Sequence, residues 1–288
     1  MGETLTYGLS LGALYGLLAI GIVLVYKATR VLNFAQAEIG TFAAYVAWYL
    51  IQRRGMPWLV GALIAIVVVA GIGFAVERFV IRRMLDGPKL TMVVATLGVM
   101  LLLGSVELVV WGASPQTFRP PIQGRGPELF GLFVSPTRIL ALVVALAVAG
   151  ALYLFIKRTT FGLGLLASAQ DPVAVRLMGI RLRHLSSFTW VTGAVLGGIA
   201  GILIVPALGG TFAPFFVTSL FVPALAAALL GGITSIPGAF VGGVAVGVLQ
   251  GLLRQFLGGV PGIEEAGMFV LLLALLLFRP QGLFGKAA

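Results

Sequence analysis

The chain contains no charged residue from Leu185 to Leu253. Other long runs, such as 56–76 and 139–156, are also continuously apolar. A strand of a membrane β-barrel would alternate apolar and polar residues over about ten positions, and these runs do not alternate. Continuous runs of this length can cross a hydrocarbon layer of about 30 Å as helices. The sequence therefore predicts an all-α fold, a polytopic transmembrane helical bundle.

The composition excludes several classes of protein. Of the 288 residues, 60% are hydrophobic and 10% are charged, which is more apolar surface than a soluble domain of this size can bury. The net charge of +10 would suggest nucleic acid in a soluble protein, whereas here it favours basic loops retained on the cytoplasmic side. The absence of cysteine excludes disulfides and thiolate-bound metal, and a single histidine disfavours other metal sites.

The apolar runs and their breaks predict nine helices. They lie near 5–26, 34–51, 58–76, 90–111, 136–156, 186–206, 216–231, 240–257 and 266–278. The second and the seventh are the weakest, and either could be a half-helix or a re-entrant segment. We therefore expect eight to ten spans within a single transmembrane domain that occupies residues 1–288.

The basic residues predict the orientation of these helices. With the N-terminus outside, the inner segments hold thirteen lysines and arginines and the outer segments hold six. The inner set is Lys27, Arg30, Arg78, Arg82, Arg83, Lys89, Lys157, Arg158, Arg176, Arg181, Arg183, Arg279 and Lys286, and the outer set is Arg53, Arg54, Arg119, Arg125, Arg138 and Arg254. Because basic residues concentrate on the cytoplasmic side, the N-terminus is expected outside and the C-terminus in the cytoplasm.

Two polar segments interrupt the apolar sequence. The outer segment 112–135 is rich in proline and glycine, which predicts a structured loop rather than a long helix. The inner segment 157–184 cannot lie in hydrocarbon, so it should form a substantial loop at a membrane face. Within it, Asp171 followed by Pro172 predicts the start of a helix of about two turns, which Gly179 could end. This short helix suits either docking into a groove of another protein or lying on lipid head groups.

Glycine recurs every fourth residue in three of the predicted helices. The sets are Gly8, Gly12 and Gly16, then Gly193, Gly197 and Gly201, and finally Gly243, Gly247 and Gly251. Each set places small residues on one helix face, where a neighbouring backbone can approach closely. The sets therefore predict helix packing, with seams that slide during transport as the functional alternative. The tetrapeptide Gly-Thr-Phe-Ala, at 40–43 and again at 210–213, suggests two related halves.

Two carboxylates fall within predicted helices. Glu38 stands about one turn inside the second helix, which Asn33 could cap, and Glu107 stands late in the fourth. Glu38 could be an interfacial residue paired with Lys27 or Arg30, and Glu107 could pair with Arg254. Since ionisable residues inside a membrane often mark a transport pathway, Asn33, Glu38 and Glu107 are also candidates for pathway or gating roles.

No catalytic or phosphate-binding motif is present in the sequence. The G-x-S-x-G, H-E-x-x-H and G-x-x-x-x-G-K-[ST] patterns are all missing, so we expect no catalytic, cofactor or metal site in this chain. If the protein moves a solute uphill, the energy must come from an ion gradient or from a partner ATPase. An ion-coupled secondary transporter would need a coupling site, for which Glu38 and Glu107 offer little material.

Four stretches resemble the permeases of branched-chain amino acid ABC importers, in particular the H-type subunit of the Liv systems. They are Arg30–Ala35 with Glu38 following, the segment from Gly162 through Asp171-Pro172 to Leu177–Ile180, Leu230–Ala239 before a glycine set, and Phe278–Gly285. They occur in the family's order over nearly the whole chain. One departure is visible, because the family often has His-Gly before the glutamate where this chain has Gln36-Ala37.

The resemblance implies a role and a set of partners. Such permeases sit in the bacterial inner membrane, pair with a second permease subunit, and are driven by two cytoplasmic ATPases that bind ATP and magnesium. A periplasmic binding protein delivers leucine, isoleucine or valine, although relatives move urea, amides or other small polar solutes. The segment 157–184 would then engage an ATPase, through residues that match the family pattern together with Arg176: Gly162, Ala167, Asp171, Pro172, Ala174 and Gly179.

Overall fold

Eleven helices and four two-residue strands make up the part of the chain that the structure describes. The structure is a computed structural model that describes residues 2–85, 87–122, 124, 126, 128–129, 132–279 and 281–285. The helices are α1 (Gly2–Thr29), α2 (Ala35–Trp48), α3 (Trp58–Ala75), α4 (Lys89–Trp111), α5 (Pro136–Arg158), α6 (Thr160–Gln170), α7 (Pro172–Leu177), α8 (Leu182–Ala207), α9 (Phe221–Gly231), α10 (Ile236–Leu257) and α11 (Ile263–Phe278). The predicted helical bundle is confirmed.

Several helices continue in a different helical form. A π-helical turn, Tyr49–Arg53, extends α2, and a π-helical turn followed by a 3₁₀ turn carries α3 on to Met84. A 3₁₀ turn, Val217–Leu220, precedes α9. Six of the described helical segments are long and apolar enough to cross a membrane, namely Thr6–Thr29, Trp58–Met84, Lys89–Trp111, Pro136–Arg158, Leu182–Ala207 and Ile236–Leu257. The second, seventh and ninth predicted helices are not among the six, and the seventh is the short apolar segment Val217–Gly231.

The helices divide into an inner group and an outer group. α1 packs against α10, α8, α5 and α9, and its apolar residues from Leu11 to Val25 are buried on every side. A helix that is apolar all round belongs in the centre of a bundle. By contrast, α3, α4, α5 and α11 expose large apolar side chains such as Val67, Val109 and Leu277. In a multi-pass membrane protein, such faces can meet lipid or another subunit.

The glycine sets lie where the central helices cross. A Cβ atom on Gly12 would lie 2.8 Å from the carbonyl oxygen of Gly243, and one on Gly8 would lie 2.9 Å from that of Gly247. A Cβ atom on Gly197 would lie 2.7 Å from the carbonyl oxygen of Gln36, so α8 and α2 form a second close crossing. Gly201 faces the backbone of Gly40 at the same crossing of α8 with α2. The other members have different neighbours: Gly16 faces the Phe240 ring, Gly193 faces Val25, and Gly251 faces Thr4. Close packing of small residues is the main source of helix association in a membrane, where lipid is as apolar as the helices.

The strands form two small antiparallel pairs on the loops. β1 (Gln116–Thr117) pairs with β4 (Thr211–Phe212), and β2 (Glu128–Leu129) pairs with β3 (Leu132–Phe133). The first pair ties the predicted outer loop to the connection between α8 and α9. The two Gly-Thr-Phe-Ala copies therefore differ in structure, because one lies within α2 and the other includes β4. The shared tetrapeptide gives no support for two related halves of the chain.

Candidate functional site

The segment 157–184 folds as two helices rather than as a loop with one short helix. Lys157 and Arg158 form the last turn of α5, and the Oγ1 atom of Thr159 then accepts a hydrogen bond of 3.0 Å from the Gly162 N–H at the start of α6. A Cβ atom on Gly162 would overlap the Ile156 backbone, so glycine permits this sharp return. The sequence prediction of α7 alone was incomplete, since glycine and serine are weak helix formers and gave no helical pattern over α6.

Asp171 separates the two helices. Its backbone is extended, with φ −139° and ψ 97°, and its carbonyl accepts a hydrogen bond of 3.3 Å from the Val175 N–H. Pro172 is the first residue of α7, which also contains Ala174 and Arg176, and Gly179 follows its end with φ +82°. A left-handed backbone of this kind favours glycine.

The surface of this segment combines charged and apolar side chains. Asp171, Arg176 and Gly179 are exposed, Ala167 is half-buried, and Gly162 is buried. Leu177 is 85% exposed and Met178 is 66% exposed. An exposed surface of apolar side chains beside charges suits either docking on another protein or contact with lipid head groups.

The segment is tied to the connection between α1 and α2. The Nη2 atom of Arg30 donates a hydrogen bond to the carbonyl oxygen of Ala169, near the end of α6. Arg30 itself has a left-handed backbone, with φ 58°, which is costly for a residue with a side chain. A displacement of α6 would therefore act directly on the turn that leads into α2.

Helix α2 begins inside the protein. Asn33 is fully buried and lies one residue before the capping position, which Phe34 occupies. Its Oδ1 atom accepts a hydrogen bond of 3.1 Å from the Ala35 N–H. The Gln36 side chain donates to the carbonyl oxygen of Leu18, in the middle of α1, at 2.9 Å. The Phe34 N–H donates to Thr96 on α4 at 3.3 Å. The second helix thus starts in the interior of the protein.

Glu38 and Glu107 come together in the interior. Both side chains are fully buried, and the two carboxyl groups lie close enough to interact with each other. The expected pairing of Glu38 with Lys27 or Arg30 is wrong, because its partners are other buried groups. The expected pairing of Glu107 with Arg254 is also wrong, since Arg254 lies 3.9 Å from Glu264 instead. The structure brings Asn33, Glu38 and Glu107 into one region, separate from Asp171 and its neighbours.

Residues that sequence reasoning missed complete this region. Thr218 and Thr41 each donate a hydroxyl hydrogen bond to the Oε2 atom of Glu38, the second of them at 3.3 Å. The backbone of Phe215 lies beside both carboxyl groups, and the Tyr45 side chain lies near them. Thr218 and Phe215 belong to the charge-free stretch 185–253, where no pattern distinguished them. The fold places them there because the 3₁₀ turn before α9 packs against α2.

The described residues include no group of three or more histidine, aspartate or glutamate side chains that could hold a metal ion. The polar residues instead form two separate features, the exposed pair of helices α6–α7 and the buried carboxyl pair. A buried carboxyl pair can bind a ligand, and an exposed helix can transmit movement.

Comparisons with known proteins agree with this arrangement. The profile of the family described as "Branched-chain amino acid transport system / permease component" matches residues 4–278. The high-affinity branched-chain amino acid transport system permease protein BraD of Pseudomonas aeruginosa is 30% identical, over 99% of this chain and 95% of its own length. The corresponding protein LivH of Escherichia coli is 28% identical, over 97% and 94%.

A further relative is similar over most of its length. The probable branched-chain amino acid transport permease protein LivH of Methanocaldococcus jannaschii is 29% identical, over 93% of this chain and 88% of its own length. The family profile covers all the helices from α2 to α11 and nearly all of α1. This chain belongs to the family of permease components of branched-chain amino acid transport systems.

Proposed function

We propose that this protein is the membrane-spanning permease subunit of an ABC importer that moves leucine, isoleucine or valine into the cytoplasm. The observation that carries the proposal is the family match over residues 4–278. The chain supplies the pathway, while two cytoplasmic ATPase subunits bind ATP and magnesium and hydrolyse the nucleotide. The importer also contains a second permease subunit, identical or different, and a periplasmic substrate-binding protein.

The proposed location is the inner membrane of a bacterial cell, with the N-terminus outside and the C-terminus in the cytoplasm. The distribution of thirteen basic residues on one side and six on the other supports this orientation. It puts the segment 157–184 on the cytoplasmic side, where an ATPase can reach it. It puts the loop 112–135 outside, where the binding protein docks.

In this proposal α6 and α7 transmit the movement of an ATPase to the pathway. The exposed Asp171, Arg176, Leu177 and Met178 supply the contact surface. Arg30 joins α6 to the turn before α2, so a shift of α6 reaches the buried carboxyl pair through α2. The close crossings of α1 with α10 and of α2 with α8 are the seams along which the helices move.

Reconstitution tests the proposal. The chain is co-purified with the products of neighbouring genes and placed in liposomes, and ATP-driven uptake of labelled leucine, isoleucine and valine is measured. We expect uptake that depends on ATP and on the binding protein. Uptake that persists without the ATPases and collapses with the proton gradient would favour an ion-coupled transporter, and preferential uptake of urea or amides would change the cargo.

A substitution at Asp171 tests the role of α6 and α7. Asp171→Arg reverses the charge between the two helices, so we expect loss of the ATPase from the purified complex or ATP hydrolysis without uptake. The matched control is Glu265→Arg, a charge reversal at an exposed residue of the predicted outer side. Normal transport with bound ATPase in the Asp171 variant would count against the assigned role.

A further inference from the structure

Glu38 and Glu107 lack a basic partner. The ion pairs of the described residues join Arg82 to Glu77 and Arg254 to Glu264, and neither involves these two carboxyl groups. Two adjacent carboxylates repel each other, and each is costly to hold at depth in a membrane. The pair therefore requires a positive charge from outside the chain, supplied either by a proton or by a bound cation.

The carboxyl oxygens of the pair differ in the hydrogen bonds that they receive. Thr218 and Thr41 both use the Oε2 atom of Glu38. The Oε1 atom of Glu38 and both carboxyl oxygens of Glu107 receive no side-chain hydrogen bond from the described residues, and the Phe215 backbone lies beside both carboxyl groups. A primary ammonium group has three N–H donors, and carboxyl oxygens without a side-chain donor suit such a group.

Tyr45 provides an independent indication of a ligand. Its side chain is fully buried, its hydroxyl has no partner among the described residues, and it lies near both carboxyl groups. Its ring stacks on Trp111 at 5.0 Å between centroids and meets Phe212 at 4.6 Å. These contacts hold the ring in place, so the group that Tyr45 offers to a ligand is its unpaired hydroxyl.

Phe215 covers the pair. Its backbone has φ 64°, an unfavourable value for a residue with a side chain, and its ring occupies the space where a Cβ atom on Gly104 would lie. Phe215 and Thr218 are only half-buried, so this side of the pair is nearest to the surface. A small movement of the turn before α9 would uncover the carboxyl groups.

We propose that the Glu38–Glu107 pair binds the primary ammonium group of the amino-acid cargo, with Tyr45 beside it and Phe215 as its cover. The inference rests on the proposed function, because it names the part of the cargo that the pathway recognises. In the empty protein the two carboxyl groups share one proton, and the arriving ammonium releases that proton to water. The net charge of the two carboxyl groups together with their positive partner is therefore the same before and after the ammonium binds.

Infrared difference spectroscopy tests the site directly. The complete transporter in lipid nanodiscs is mixed with leucine, with 3-methylbutylamine, or with 4-methylpentanoate, which lacks the amino group. We expect leucine and the amine to remove the carbonyl stretch of one protonated carboxyl group, and 4-methylpentanoate to leave it unchanged. The Glu107→Gln variant should lack this response, whereas Glu265→Gln, at an exposed glutamate, should retain it.

Uptake by the same complex gives the second readout. Glu38→Gln combined with Glu107→Gln should lower leucine uptake about tenfold or more, because charge-assisted hydrogen bonds to the ammonium are lost. Glu265→Gln should keep both leucine uptake and the stimulation of ATP hydrolysis by the binding protein within about twofold, since it changes an exposed carboxyl group outside the pair.

The outcomes separate the two proposals. A carboxyl signal that ignores both leucine and the amine, in a complex that transports leucine, would overturn the ammonium site and leave the proposed function standing. A signal that the amine removes, in a complex that moves no branched-chain amino acid, would support the ammonium site and overturn the proposed cargo. A response to protons or to divalent metal alone would also overturn the ammonium site.

Discussion

Gly12 determines how closely α1 and α10 approach. Its missing side chain leaves the space that the carbonyl oxygen of Gly243 and the backbone of Val244 fill, each at 2.8 Å from the position of a Cβ atom. Gly98, on the exposed face of α4, has no atom within 4 Å of the same position. The two glycines therefore differ in packing although both lie in membrane-length helices.

This difference predicts opposite effects of the same substitution. Gly12→Ala should lower the free energy of unfolding by about 1–3 kcal/mol, because the two backbones must separate. Gly98→Ala should leave it unchanged or raise it by up to about 1 kcal/mol, because alanine favours a helix over glycine. Unfolding of the purified chain in detergent, followed by tryptophan fluorescence, measures both. Equal effects of the two substitutions would show that the crossing is not tight.

Single residues also show where sequence reasoning ends. Glu38 and Glu107 could be identified as candidates because charges stand out in apolar helices. Their contact could not be predicted, since the two lie on different helices and one sequence carries no information about which helices are neighbours. Thr218 and Tyr45 were missed for a related reason, because a threonine or a tyrosine in such a helix is ordinary.

At the scale of elements, the helices follow from the apolar runs. All nine predicted helices are found, because continuous apolar sequence in a membrane must satisfy its backbone hydrogen bonds internally. Helix α6 was not predicted, since its sequence is short and contains two glycines, which are weak helix formers. Its stability depends on the cap at Thr159 and on contacts with α5 and with Ile180.

The link between α6 and α2 predicts a coupling defect. Arg30→Ala and Arg30→Gly both remove the hydrogen bond to Ala169, so both should lower the number of leucine molecules moved per ATP hydrolysed. Because the backbone at this position has φ 58°, the alanine variant should also be less stable than the glycine variant by about 1 kcal/mol. Paired uptake and phosphate-release assays measure the ratio.

Arg83→Ala is the control for that experiment, because it removes an exposed arginine that has no such contact with α6. It should keep the normal ratio of leucine to ATP. If Arg83→Ala lowered the ratio as much as Arg30→Ala, the effect would come from loss of positive charge and not from the link to α6.

At the scale of the whole molecule, central helices are enclosed and peripheral helices expose apolar side chains. The chain contains no cysteine, so single cysteines report orientation without background labelling. Met178→Cys, 66% exposed after α7, should react with a membrane-impermeant maleimide only after the cell is opened. Ile122→Cys, 46% exposed in the predicted outer loop, should react in spheroplasts that are still sealed. The reverse pattern would contradict the proposed orientation.

The central claim is that α6 and α7 contact an ATPase, and photo-crosslinking tests it most directly. A photoreactive amino acid replaces Leu177, which is 85% exposed, and Val109, which is 86% exposed on α4, serves as the control position. After irradiation of membranes that hold the whole transporter, the account predicts an adduct between position 177 and the ATPase subunit and none between position 109 and that subunit. Adducts of position 177 with lipid alone, or with a periplasmic protein, would contradict it.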